Sequence, residues 1–193
     1  DEAEASFRHA IALQPDNFEA HNNYGATLIA LGRSDDAATS YRNVIALKPD
    51  YSEAHNNLGA ALHDMGRLDE AEASYRQALA LQPDFAEAHY NLGNTLRELG
   101  RLYEAEASYL NSTVIKADYF EAHNNYGVVL HELARFAEAE ASYRHSIALK
   151  HDYAEAYNNL GSTLKELGNL AHRARTRGVG QQQAHGERDR LRV

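Results

Sequence analysis

The feature that most constrains this chain is a period. Gly25, Gly59, Gly93, Gly127 and Gly161 stand 34 residues apart, and Gly32, Gly66, Gly100, Ala134 and Gly168 follow in the same step. Tyr41, Tyr75, Tyr109 and Tyr143 keep it, with Phe7 extending the series backwards, and Pro15, Pro49 and Pro83 keep it until Ala117 and His151 interrupt. Several series in one register, with no insertion or deletion from residue 1 to residue 170, exclude a chance origin.

Each unit reads as two helices, and no strand pattern appears. Over residues 52–85, Leu58, Leu62 and Met65 give the i, i+4, i+7 stripe of an amphipathic helix. Gly66 ends that helix, and Asp69 begins a second whose buried face is Ala71, Tyr75, Ala78, Leu79 and Leu81. Pro83 then stops the chain from continuing as helix. Asp50 followed by Glu53 reads as a capping box, repeated as Asp16/Glu19, Asp84/Glu87, Asp118/Glu121 and Asp152/Glu155. Gly59 and Ala71 are expected to face each other where two backbones approach, with Tyr75 giving bulk to the next layer. One hairpin cannot bury both of its apolar faces, but stacked hairpins can. The expected fold is therefore an all-α solenoid of antiparallel helix pairs. Residues 1–17 match a second helix alone; full units follow at 18–51, 52–85, 86–119 and 120–153, and residues 154–170 give one more first helix. A longer array upstream in a parent protein is the expectation from that start in mid-unit.

These positions carry a resemblance. Leu58, Gly59, Leu62, Ala71, Tyr75, Ala78 and Pro83 are similar to the tetratricopeptide repeat (TPR) pattern, with His21, His55, His89, His123 and Tyr157 where the family usually has Trp. The resemblance implies a right-handed α-α superhelix whose concave wall is lined by the first helices.

Charge separates the ends of the chain. Its formal net charge is -9, but residues 1–170 hold 13 basic against 26 acidic side chains, whereas residues 171–193 hold six Arg against Glu187 and Asp189. In register, Arg173 and Arg177 fall where a second helix would bury small or apolar residues, and unpaired burial of arginine is prohibitive. The tail 171–193 is expected to be disordered or non-native sequence. The acidic array argues against nucleic acid as partner, and no apolar run reaches the ~18 residues of a membrane span. With no Cys there is no thiolate metal site or cysteine nucleophile. The eleven His suggest no metal site either: four of them recur one unit apart, too far for one ion with ~2 Å bonds. No phosphate loop, nucleophile elbow or carboxylate pair stands outside the repeat register, so neither enzyme activity nor a cofactor is expected.

What remains is a surface. Asn23, Asn57, Asn91, Asn125 and Asn159 sit two residues before each glycine of the first series. Asn is a poor mid-helix residue, so five at one position need a compensating role. An amide both donates and accepts, and a ladder of amides can hold the backbone of an extended peptide. Asn22, Asn56, Tyr90, Asn124 and Asn158 lie beside it. A second row, Ile29, His63, Arg97, His131 and Lys165, runs beside Ala30, Asp64, Glu98, Glu132 and Glu166 as a mixed-charge wall. The expected partner is a protein or peptide in the concave groove, with His63, Arg97, His131 and Lys165 tuning choice. The repeated A-H-N-N-[LY]-G and L-D-E-A-E-A-S-Y-R strings resemble the TPR arm of O-linked N-acetylglucosamine transferases. That resemblance implies substrate docking through the same amides by an arm whose catalytic domain is absent here. Glu19, Glu53, Glu87 and Glu121 stand where clamps for a chaperone's terminal carboxylate place cations, which disfavours that ligand. Apolar surface at the stack ends leaves end-to-end self-association open.

Overall fold

A computed structural model describes the backbone of residues 2–190 and the side chains of residues 2–172. Among the described residues there are ten helices and no strand: α1 (Glu2–Leu13), α2 (Phe18–Ala30), α3 (Ser34–Leu47), α4 (Ser52–Asp64), α5 (Leu68–Leu81), α6 (Ala86–Glu98), α7 (Leu102–Ile115), α8 (Phe120–Glu132), α9 (Phe136–Leu149) and α10 (Ala154–Arg190). They fall into two compact units, residues 1–122 and 123–193. In the first, each helix packs on its sequence neighbour; in addition α2 touches α4 and α4 touches α6, whereas successive second helices stay apart. The first helices therefore line the tighter side of that unit.

The glycine of each first helix has a different purpose from the one expected. A Cβ on Gly59 would lie 2.6 Å from Cε1 of Tyr75, and on Gly25 2.7 Å from Cε1 of Tyr41. Gly93 and Tyr109, and Gly127 and Tyr143, repeat this relation. The missing side chain is thus a seat for the tyrosine ring of the same repeat, and Tyr75, Tyr109 and Tyr143 are the largest fully buried side chains among the described residues. Tyr75 also reaches the next layer, where it lines a space with Asn91 and Asn94 of α6. Sequence spacing places a residue on a face but does not say which way a ring lies.

Helix starts also differ. The N-caps of α4 and α6 are Tyr51 and Phe85, without a side-chain hydrogen bond, and Asn17 caps α2 through the Ala20 amide at 3.0 Å. Asp16, Asp50 and Asp84 lie one residue too early to cap. The glutamates are engaged elsewhere: Glu53 accepts from the Tyr51 hydroxyl, Glu87 pairs with Lys116 at 3.1 Å, and Glu155 accepts from Tyr153 Oη at 3.0 Å. Second helices have an arginine as N-cap, and α5 begins at Leu68, one residue before the expected Asp69. Arg67 clasps Glu70, Arg101 clasps Glu104 and Arg135 clasps Glu138, each at 2.6 Å. The arginine hydrogen bond holds each of these carboxyls below its usual range, so the contribution is present above that range and is lost as pH falls. Arg101 also reaches Glu72 of the preceding second helix at 2.6 Å.

The stops between paired helices need a left-handed residue. Gly32, Gly66 and Gly100 have φ of 71°, 71° and 75°, and Ala134 is forced to 58°. An L-residue there is strained by ~1 kcal/mol. Ala134→Gly is accordingly expected to raise stability by about 0.5–1 kcal/mol, read as a higher urea midpoint at unchanged slope. The expected stop at Gly168 does not form; α10 runs through it. A stop is held by a second helix that packs back on the first, and the residues after Gly168 carry no apolar face to do so. The reading of residues 171–193 as disordered or non-native falls, from residue 173 on, outside the described side chains. Proline does not set the unit ends alone, since α7 and α9 stop in the register of α3 and α5 where Ala117 and His151 replace it.

Candidate functional site

The histidines at the family's Trp position are tied to backbone. Nε2 of His21, His55 and His89 lies 3.0 Å from the carbonyl oxygens of Pro15, Pro49 and Pro83. A carbonyl accepts only, so Nε2 carries the proton, and the imidazole fastens a first helix to the turn before it. His123 stacks on His145, 4.2 Å between ring centroids. Serines of the second helices close the pair from the other side: Ser40 Oγ donates to the His21 carbonyl at 2.8 Å, and Ser142 Oγ to the His123 carbonyl at 2.9 Å.

The amide ladder is built between repeats. Asn57 Nδ2 donates to Asn22 Oδ1 at 3.3 Å, and Asn91 Nδ2 to Asn56 Oδ1 at 3.1 Å. In the second unit Asn159 Nδ2 donates to Asn124 Oδ1 at 3.1 Å. The two series are therefore one device, in which the inner amide of a repeat leans on the outer amide of the repeat before it. This compensates Asn in mid-helix by turning its side chain toward a neighbouring helix rather than its own backbone.

The arrangement sorts the two series. Asn56 is 8% exposed and Asn124 is fully buried, so the expectation that they face a groove is not met. Asn124 is spent on Asn125 at 3.2 Å and Glu155 at 3.1 Å as well as on Asn159. Asn22 is half-buried as the acceptor for Asn57, and Asn158 is exposed. Tyr90, the one substitution, packs between Tyr109 and Tyr119, at ring separations of 6.0 and 5.0 Å. The inner amides are half-buried at Asn57, Asn91, Asn125 and Asn159, and exposed at Asn23. Asn57, Asn91 and Asn159 each use one N–H within the described protein and leave Oδ1 open, and the Asn23 side chain makes no such bond.

The charged row is also built across repeats. His63 Nε2 is buried and lies 3.2 Å from Glu98 Oε1 without the alignment of a hydrogen bond. His131 Nδ1 lies 2.8 Å from Thr163 Oγ1, and its ring packs edge-on against Phe136. Arg97 is half-buried; Lys165 is exposed. The expected wall is thus partly self-paired.

Sequence reasoning overlooked a pocket of about 210 Å³ between α4 and α6, lined by Ala60, His63, Asp64, Tyr75, Asn91 and Asn94. The signal lies in the position after each glycine, where Asn94 interrupts the small or apolar run Ala26, Ala60 and Val128. Asn94 Oδ1 accepts from Tyr109 Oη at 2.6 Å, a bond that Ala60 cannot offer to Tyr75.

Models described as tetratricopeptide repeat or TPR repeat match residues 6–38, 25–66, 59–100, 86–119, 120–153 and 154–173. The chain belongs to the tetratricopeptide repeat family. No curated protein matches its sequence. Among solved structures, this TPR chain is similar to MamA, at 22% identity and a TM-score of 0.71, over 79% of this chain and 89% of that one. It is similar to YrrB, described as a TPR protein with an unusual peptide-binding site, at 20% identity and a TM-score of 0.71, over 84% of each chain. The first TPR of Spaghetti (RPAP3), bound to the HSP90 peptide SRMEEVD, matches 61% of this chain and 93% of its own at 20% identity and a TM-score of 0.60. At these identities the likeness establishes the fold, an all-α TPR solenoid. Among the described residues, no helix is long and apolar enough to cross a membrane.

Proposed function

We propose that this TPR chain is a non-enzymatic scaffold that holds an extended polypeptide along its first helices through the inner asparagines. The observation that carries the reading is the half-used amide: Asn57, Asn91 and Asn159 are oriented by one hydrogen bond to a neighbouring repeat while Oδ1 stays open. A held acceptor loses little rotamer freedom on binding, so more of its hydrogen bond appears as affinity. Spacing fits the same reading. Packed helices lie ~8–10 Å apart, and three residues of polyproline II span ~9 Å and complete one turn. Every third peptide N–H would thus meet the amide of a successive repeat. The family fold and the peptide-bound TPR neighbour agree with a peptide ligand. His63, Arg97, His131 and Lys165 flank this line and would select among ligand side chains; Asn22 and Asn158 stand at its edge, Tyr90 offers a ring at one step, and Asn56 and Asn124 act as supports behind it.

Asn23 is the cleanest probe, because its side chain has no folded-state bond to lose. A dodecapeptide selected from a displayed random library on the 193-residue chain is expected to bind Asn23→Ala about 3–10-fold more weakly, at an unchanged unfolding midpoint. Full retention of affinity by every selected peptide would remove Asn23 from the ladder.

A second reading makes the chain the substrate-docking arm of a glycosyltransferase. It rests on the repeated strings and shares the ladder; transferase sequence downstream in the parent gene would favour it. Self-association end to end is proposed from the exposed Leu13 of α1 and Leu164 of α10, and concentration-dependent light scattering tests it. Nucleic acid does not fit an acidic array, and no salt-dependent binding of oligonucleotides is expected.

A further inference from the structure

The pocket between α4 and α6 holds a polar group that its surroundings leave unsatisfied. Tyr75 is 2% exposed, yet its hydroxyl makes no hydrogen bond among the described residues. One repeat later, the equivalent Tyr109 donates to Asn94. Ala60 stands where Asn94 would, and its short side chain opens the space in front of the Tyr75 hydroxyl. The phenol oxygen keeps contact with solvent, so water or a ligand satisfies it from this space. The groups that share this space are three oxygen acceptors beside His63, whose buried Nε2 makes no hydrogen bond. Asp64 is exposed; burial first, and then the charge of Asp64, raises the Tyr75 pKa above the ordinary phenol value. Asn91 presents its open Oδ1, having spent Nδ2 on Asn56. Glu98 Oε1 lies 3.2 Å from Nε2 of His63, a residue of the lining. Three oxygen-bearing side chains from three different helices, one of them anionic, line this space of about 210 Å³.

We infer that this pocket takes the ammonium group of a lysine side chain of the bound polypeptide, with Asp64, Asn91 Oδ1 and the Tyr75 hydroxyl as its three acceptors. The inference rests on the groove reading above and names the side chain selected at that step. An ammonium has three donors and no acceptor, which matches the set, and a charge-assisted bond to Asp64 would dominate the selection. An anionic side chain would meet the carboxylates of Asp64 and Glu98. An apolar one would bury the Tyr75 hydroxyl unpaired.

The test compares two pools of blocked dodecapeptides of random composition, one with lysine fixed at a central position and one with norleucine there, by fluorescence anisotropy on the whole chain. The lysine pool is expected to bind about 10-fold more tightly. Asp64→Asn, an isosteric exchange at an exposed residue, should reduce that ratio below about 3 by weakening the lysine pool. Ala60→Asn, which supplies Tyr75 with the partner Tyr109 has, should fill the pocket and do the same. Equal binding of the two pools, or a ratio unmoved by both substitutions, overturns the lysine pocket while leaving the groove in place. Failure of both pools to bind overturns the groove reading and the pocket with it.

Discussion

Gly59→Ala is expected to lower stability by about 1–2 kcal/mol, although alanine is the better helix former. The added Cβ would stand 2.6–2.9 Å from three atoms of the Tyr75 ring. That ring is only 2% exposed, and overpacking of this kind costs about 1–3 kcal/mol. The gain in helix propensity is ~1 kcal/mol and offsets part of it. Gly161→Ala is the internal control. Nothing lies within 4 Å of its added methyl, so the same exchange should stabilise by about 0.5–1 kcal/mol. The opposite signs, read from urea midpoints, follow only if the glycine is a ring seat. Hydrogen exchange localises the loss: in a stack held together by neighbour contacts, Gly59→Ala should expose amides of α4 and α5 most.

The second large effect falls on binding. Asn23→Ala, Asn57→Ala and Asn91→Ala combined should weaken a selected peptide by about 10²-fold, as three hydrogen bonds of ~1 kcal/mol are lost. The three residues differ in what else they do. Asn23 has no other bond. Removing Asn57 frees the acceptor of half-buried Asn22, and removing Asn91 strands the acceptor of buried Asn56. The stability costs should therefore rise in that order, from about zero to about 1–2 kcal/mol for Asn91→Ala. Affinity losses should be similar for all three. If affinity tracked stability instead, the amides would be inter-repeat struts and no more. Circular dichroism must show intact helix content for the comparison to count.

The 34-residue period makes the fold legible on its own. Helix pairs, their stops at Gly32, Gly66 and Gly100, and the buried tyrosines all follow from positions that recur in one register. Direction is what a linear pattern lacks. The period puts Gly59 and Tyr75 in one repeat without saying that the ring lies in the glycine's gap. It puts the expected capping aspartates one residue early, because Tyr51 and Phe85 begin the helix with rings that pack instead of oxygens that accept. The inner asparagines are visible as a row. That Asn57, Asn91 and Asn159 each lean on the outer asparagine 35 residues earlier is hidden, since the pairing depends on how two repeats are set against each other. The lysine pocket arises from an absence, Ala60 where Asn94 has an amide, and absences are hard to read in a linear pattern.

Backbone reading by the ladder can be tested on the ligand rather than the protein. A selected dodecapeptide is N-methylated at every third amide in each of its three registers, and each product is titrated against the whole chain. Methylation removes a donor and adds bulk wherever it falls, and this costs binding most where an asparagine Oδ1 accepts that N–H. One register is expected to weaken binding by about 10²-fold and the other two by less than about 5-fold. Equal tolerance of all three registers, or an equal loss in all three, would contradict a peptide held by its N–H groups at the spacing of the repeats.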